Sequence, residues 1–232
     1  MENSTKLMQP REGYRYSIDP FLLADNITAD NARRIADLGT GNGILPLLLS
    51  RLYPDAECWG LDIQREPLVC AVKNCEKLKV RARFIQSDLR QTASLLKAGS
   101  FDLAVSNPPY RKAGSGRLNR MSSKAIARHE IRLTLNELTR AAAHLLTDGG
   151  LFCLIHLAQR SGEILGVMRE NGLAPKTTRF LHSKSGEDPF WVIVNSVKNG
   201  GGGVTLLPPF TVYSNDGGYT DNMSRVYEKF DI

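Results

Sequence analysis

Four consecutive residues, Asn107-Pro108-Pro109-Tyr110, put an amide, a donor-poor turn and an aromatic ring into one short stretch. A double proline fixes an extended, rigid turn and supplies no N–H, which leaves backbone carbonyls facing outward. The side-chain oxygen of Asn107 is a further acceptor. Asn107 Oδ1 and the Pro108 carbonyl can together hold the two protons of a planar aromatic amine such as adenine's. That amine is a poor nucleophile because its lone pair is delocalised into the ring, and two acceptors favour its pyramidal form. Tyr110, with Pro109 beside it, offers a face on which the base can stack, a contact of roughly 1–3 kcal/mol in nucleic-acid sites. The same tetrapeptide also occurs as an ordinary strand-ending turn with a surface tyrosine, so its chemistry depends on what lies upstream.

Upstream lies Asp37-Leu38-Gly39-Thr40-Gly41-Asn42-Gly43, followed by Ile44-Leu45-Pro46. Glycines permit a tight turn and let a ligand touch the backbone where a Cβ would clash. Pro46 suits the first turn of a helix, where its missing N–H costs nothing. The spacing G-x-G-x-G departs from the G-x-G-x-x-G of dinucleotide enzymes. Three aspartates follow successive apolar runs. Asp37 precedes the glycines, beside the place for a ligand's ammonium group. Asp62, with Ile63 next to it, lies 19 residues past Gly43, where a carboxylate can accept both hydroxyls of a ribose. Asp88, with Leu89, stands where it can reach an adenine amine. One such aspartate would equally be a helix cap; three around a glycine turn point to a nucleoside site.

These groups need a scaffold that brings strand ends together. Short β-rich runs at Arg34–Leu38, Glu57–Asp62, Ala82–Ser87, Phe101–Ser106 and Leu151–His156 alternate with helical stretches. The helices are expected at Leu45–Tyr53, Glu66–Leu78, Thr92–Lys97, Leu133–Leu146 and Ser161–Asn171. Such alternation with short links implies right-handed βαβ units in a parallel sheet covered on both faces. Two last strands, Thr177–His182 and Phe190–Ser196, joined by a loop with Gly186 and Pro189, predict an antiparallel pair at the sheet edge.

With the glycine turn in front of it, the Asn107-Pro108-Pro109-Tyr110 stretch resembles the amino-methyltransferase superfamily, whose motif is (Asn/Asp/Ser)-Pro-Pro-(Tyr/Phe/Trp). The resemblance implies a Rossmann-like class I methyltransferase. Its α/β fold is a seven-stranded, mostly parallel sheet with one antiparallel strand. It also implies S-adenosyl-L-methionine as cofactor, held by Asp37, Gly39, Gly41, Gly43, Asp62, Ile63, Asp88, Leu89 and Asn107. An amine held by Asn107 and Pro108 can then attack the sulfonium methyl in line, with no metal and no covalent intermediate.

Flanking segments narrow the likeness. Gly13 to Ala24, Lys112 to Arg117, Ala125 to Glu130 and Asp216 to Thr220 are similar to the bacterial family of transfer-RNA adenine N6-methyltransferases that act on valine tRNA beside the anticodon. That likeness implies that Tyr14, Tyr16 and Asp19 help close over the cofactor and that tRNA is the partner. The charge pattern agrees. Between Arg111 and Arg132 stand seven cations and one anion, a surplus equal to the chain's whole formal charge of +6. Arg111, Lys112, Arg117, Arg120, Lys124 and Arg128 follow the tyrosine directly, where phosphates of an extruded nucleotide would pass.

Two rivals share parts of this pattern. A protein-glutamine methylase acting on release factors also uses Asn-Pro-Pro-Tyr, but is expected to carry a helical N-terminal domain, whereas 33 residues precede the first strand here. A DNA adenine methylase is excluded by no single residue. A non-catalytic RNA-binding module would have no need of the intact turn. The composition, 42% hydrophobic and 23% charged over 232 residues, suits one domain, with 1–33 as a cofactor-closing extension, 107–130 as a basic substrate loop and 199–232 as a tail. Cys58, Cys70, Cys75 and Cys153 form no C-x-x-C pair, and a polar N-terminus lacks a leader's apolar stretch. Free buried thiols and a cytoplasmic setting are expected.

Overall fold

The computed structural model describes residues 18–108 and 133–230. The first element is a helix, α1 (Asp19–Asp25), with Pro20 in its first turn and Phe21, Leu22, Leu23 and Ala24 buried. It is followed by β1 (Arg34–Leu38), α2 (Ile44–Leu52), β2 (Glu57–Asp62), α3 (Arg65–Lys77), β3 (Ala82–Gln86), α4 (Thr92–Leu95) and β4 (Phe101–Ser106). Beyond the undescribed stretch come α5 (Leu135–Leu145), β5 (Leu146–Leu157), α6 (Ser161–Glu170), β6 (Leu173–His182) and β7 (Pro189–Lys198). Two short strands, β8 (Thr205–Leu206) and β9 (Phe210–Thr211), and a last helix, α7 (Asp221–Phe230), complete the chain.

The sheet runs β3-β2-β1-β4-β5-β7-β6-β8, with β9 also on β6. β1 to β5 pair in parallel, while β7 is antiparallel to both β5 and β6. The expected mostly parallel sheet with one reversed strand is therefore present. The antiparallel partner of β6 sits inside the sheet, between β5 and β6, and β8 and β9 extend the edge. Helices cover both faces. One core joins α1, α2 and α7 to the sheet through Leu22, Leu48, Ile155 and Phe230, and the other joins α5 and α6 through Leu138, Ala142 and Met168.

Element boundaries differ from the sequence reading for local reasons. Thr134 and Glu137 form a reciprocal cap, so α5 starts at Leu135. β5 begins straight after α5 and absorbs Gly149, whose φ of +79° lets the strand shift register against β4. β6 starts four residues early, with Pro175 accommodated at a register shift before Thr177. All four cysteines are buried free thiols.

Strand order reverses direction between β1 and β4, because β2 and β3 lie on one side of β1 and β4 on the other. A crevice opens outside the carboxyl ends of the strands at such a switch point. Asp37 and the glycine turn leave β1 there, and Asn107 leaves β4 there.

Candidate active site

The glycine turn is built by positive backbone angles and by long-range anchors. Gly39, Gly41 and Gly43 have φ of +84°, +54° and +79°. A Cβ on Gly39 or Gly41 would meet no described residue within 4 Å, so space lies in front of both among the described residues. A Cβ on Gly43 would lie 2.8 Å from the Cβ of Ala71, so that glycine also lets α2 lie close on α3. The turn is tied at Asn42, whose carbonyl accepts from the buried Asn74 Nδ2 at 3.1 Å. Gly39 and Thr40 N–H groups both donate to the Leu61 carbonyl of β2.

Asp37 is 1% exposed, and neither of its carboxylate oxygens has a hydrogen-bond partner among the described residues. Burial pushes its pKa up to about 7; the neighbouring Thr40 hydroxyl lowers it, without reaching good hydrogen-bond geometry, and the charge of Asp62 raises it further. A buried acid with unmet acceptors asks for a cationic donor, which is what an amino-acid ammonium supplies. Asp62 is organised differently. Its Oδ2 accepts from Gly41 N–H at 2.9 Å and its Oδ1 from Gln64 N–H at 2.8 Å. Burial raises its pKa, and these backbone bonds oppose the rise. Each oxygen keeps a lone pair for a diol. Ile63 beside it is 48% exposed at the rim, an apolar surface for a flat ring.

Asp88 is less available than its position suggested. It caps the 3₁₀ turn at Leu89–Gln91 by accepting from Arg90 N–H, and the Arg90 guanidinium grips both its oxygens. That pairing lowers its pKa. Its carboxylate faces Arg90 in this conformation, and Leu89 is buried.

Asn107 and Pro108 close the other side of the crevice. Ser106 Oγ donates to the Leu38 carbonyl at 2.7 Å, which locks the end of β4 against the end of β1. Asp37 itself registers with Val105, two residues before Asn107. Asn107 Nδ2 donates to Asp19 Oδ2 at 3.1 Å, and Asp19 is 1% exposed at the start of α1. A carboxylate only accepts, so this bond decides the amide's orientation and leaves Oδ1 turned away from Asp19. The crevice thus combines an unsatisfied buried carboxylate, a glycine cradle with open space, a diol-binding carboxylate and an oriented amide. Those features fit an aminoacyl-nucleoside such as S-adenosyl-L-methionine.

The structure brings Asp19, Asp37, Gly39, Gly41, Gly43, Asp62, Ile63 and Asn107 to this crevice, with Pro108 next to Asn107 in the chain. Tyr14, Tyr16, Pro109, Tyr110, Arg111, Lys112, Arg117, Arg120, Lys124 and Arg128 lie outside the described residues. Four contributors escaped the sequence reading: Thr40, Asn74, Ser106 and Gly60. A Cβ on Gly60 would fall 2.6 Å from the Phe84 ring and 2.8 Å from Thr40 Cγ2, so β2 needs glycine at its centre. A glycine inside an apolar strand is the one signal that could have flagged it.

The family model described as methyltransferase small domain matches residues 18–171. A release factor glutamine methyltransferase of Salmonella typhimurium is 32% identical over 152 residues, covering 62% of this chain and 54% of that protein. The chain therefore spans about half the length of that relative. A tRNA1(Val) (adenine(37)-N6)-methyltransferase of Tolumonas auensis is 26% identical over 189 residues, 80% of this chain and 77% of that protein. Among solved structures, a predicted O-methyltransferase of Agrobacterium tumefaciens superposes with a TM-score of 0.74 at 19% identity, over 91% of this chain and 96% of that one. That last likeness is one of fold.

Proposed function

The chain belongs to the methyltransferase small-domain family, and from that premise we propose that it methylates the exocyclic N6 amine of an adenine in tRNA. The cofactor is S-adenosyl-L-methionine, which supplies an electrophilic methyl group when bound. Asp37 holds its ammonium, Gly39, Gly41 and Gly43 let it approach the backbone, and Asp62 accepts from its ribose. Asn107 Oδ1 and the Pro108 carbonyl hold the two amine protons and aim the nitrogen's lone pair at the methyl carbon, with Tyr110 stacking on the base. Arg111, Lys112, Arg117, Arg120, Lys124 and Arg128 follow that turn in the chain and supply phosphate contacts.

The observation that carries this reading is the Asp19–Asn107 bond beside the unsatisfied Asp37. It orients the Asn107 amide with its oxygen turned away from Asp19, at the end of the strand next to the one that carries Asp37. The likeness to a tRNA adenine methylase over 80% of the chain supports the substrate. The higher identity to a release-factor glutamine methylase over a shorter stretch favours a second reading, because a glutamine amide is also a planar NH₂.

The test is transfer of labelled methyl to bulk unmodified tRNA, duplex DNA and a release factor in parallel. Label in tRNA, recovered as N6-methyladenosine, is expected. Label confined to the factor would overturn the substrate and leave the cofactor site standing. Asn107→Ala is expected to abolish turnover while tRNA binding persists, and unchanged turnover would remove Asn107 from its role.

A further inference from the structure

A second polar recess lies away from the crevice. It occupies about 340 Å³ between α1, β6, β9 and α7, and is lined by Asp25, Arg179, Phe210, Asn222, Arg225 and Lys229 among others. Among the described residues, three cations face one acid there. Lys229 Nζ pairs with Asp25 Oδ1 at 2.9 Å, which leaves the two guanidiniums without an acid facing them in the recess among the described residues. Arg179 is half-buried, and its buried Nε has no hydrogen-bond partner among the described residues. An anion entering the recess meets the charge of both guanidiniums at once. A guanidinium fork matches a phosphate's paired oxygens better than a halide or a lone carboxylate oxygen.

The position of the recess points to its occupant. Ser106 of β4 registers with Leu154, Leu154 with Val194, and Val194 with Thr178. Arg179 therefore stands at the level of Asn107, three strands away, or on the order of 14 Å at the usual strand spacing. On its opposite flank the helix that lines the recess carries Tyr227, against which rings from neighbouring segments pack. At 100° per residue, Asn222, Arg225 and Lys229 share one side of α7, Met223, Val226 and Phe230 the buried middle, and Tyr227 the far side. Tyr227 meets Phe21 of α1 at 5.0 Å and Tyr219 at 5.4 Å, and Tyr219 stacks on Tyr213. Tyr219 is 45% exposed. Phosphate-binding forks and an exposed stacked ring on two flanks of one helix together suit a nucleotide chain, not a free anion.

We propose that this recess receives a backbone phosphate of the RNA substrate, with Arg179 and Arg225 gripping it, and that Tyr219 stacks a neighbouring base. The proposal rests on the tRNA reading above and adds a contact region that the basic run after Tyr110 does not contain. Removing one cation–phosphate pair lowers the steepness of log K against log[salt] by roughly 0.7–0.9.

The experiment measures binding of bulk unmodified tRNA to the full chain across salt concentrations, for the parent, Arg179→Gln, Arg225→Gln and Arg225→Lys. Thermal stabilisation by S-adenosyl-L-methionine reports that each variant is folded, and Arg225, being exposed, is the safer position. The glutamine variants are expected to bind tRNA about 3–10-fold more weakly with a slope smaller by nearly one, and Arg225→Lys to keep most of the slope. Unchanged affinity and slope in the glutamine variants, beside a parent that binds and methylates tRNA, would overturn the recess alone. Failure of the parent to bind tRNA would overturn both readings. Inorganic phosphate occupying the recess while the variants keep full tRNA affinity identifies a free-anion site and overturns the RNA assignment.

Discussion

Replacing Asp37 by Asn tests the charge logic of the cofactor crevice. In the folded chain the Asp37 carboxyl is pushed up to about 7, against an ordinary value of 3.8, chiefly because burial disfavours its charge. A group that holds its proton more tightly when folded adds stability that is fully present below about pH 3.8. That stability is lost as pH rises through 7. The distance from 3.8 to about 7, at about 1.36 kcal/mol per pH unit, amounts to about 4 kcal/mol. Asn has the same shape and no charge to bury. Urea unfolding of the cofactor-free chains is therefore expected to give similar stabilities near pH 4. The gap should open between pH 4 and 7, with Asp37→Asn the more stable by up to about 4 kcal/mol at pH 8. Cofactor affinity should move the other way, falling about 100-fold, because the ammonium is left without its counter-charge. Binding to the parent near pH 6 should release close to one proton, read by calorimetry in buffers of different ionisation enthalpy, and Asp37→Asn should release none. A stability gap that is flat in pH, or equal proton release by both chains, would refute the argument.

Other expectations follow from single contacts. Gly43→Ala combines a φ of +79° with a Cβ 2.8 Å from Ala71. It should cost about 2–4 kcal/mol in denaturant unfolding, whereas Gly39→Ala, with open space, should cost about 1–2 kcal/mol. Asp19→Ala removes the acceptor for Asn107 Nδ2. Steady-state kinetics should show kcat falling about 100-fold with a much smaller change in substrate KM, and Asp19→Glu should recover part of it. His156 is 6% exposed and its pKa is lowered by burial to about 4. The unfolded chain binds its proton first, so stability should fall as pH drops from 6.5 to 4, and His156→Gln should flatten that limb of the stability–pH curve.

Much of the sheet was legible because hydrophobic alternation and glycine–proline punctuation are local. β1, β2, β4 and α3 lie within a residue or so of where their patterns end, and the glycine turn and Asn107-Pro108 announce themselves by residue type. Asp88 shows the limit of that reading, since its occupation by Arg90 depends on side-chain direction two residues on. α1 and α7 were illegible for a different reason. Each is short, and it is stabilised by packing on the other: Phe21 meets both Tyr227 and Phe230. Neither helix has propensity enough to declare itself alone.

The sequence by itself determined the chemistry on offer: glycines that can turn, aspartates at strand ends, an amide beside two prolines, and cations gathered in one stretch. Those are properties of residue type and near-neighbour spacing. Only the tertiary structure decided that Asp37 is buried with no hydrogen-bond partner among the described residues, that Asp19 orients an amide 88 residues away, and that Arg179 and Arg225 share a recess. Burial and hydrogen-bond direction arise when segments distant in the chain are packed together. Strand order at the switch between β1 and β4 sets which ones meet.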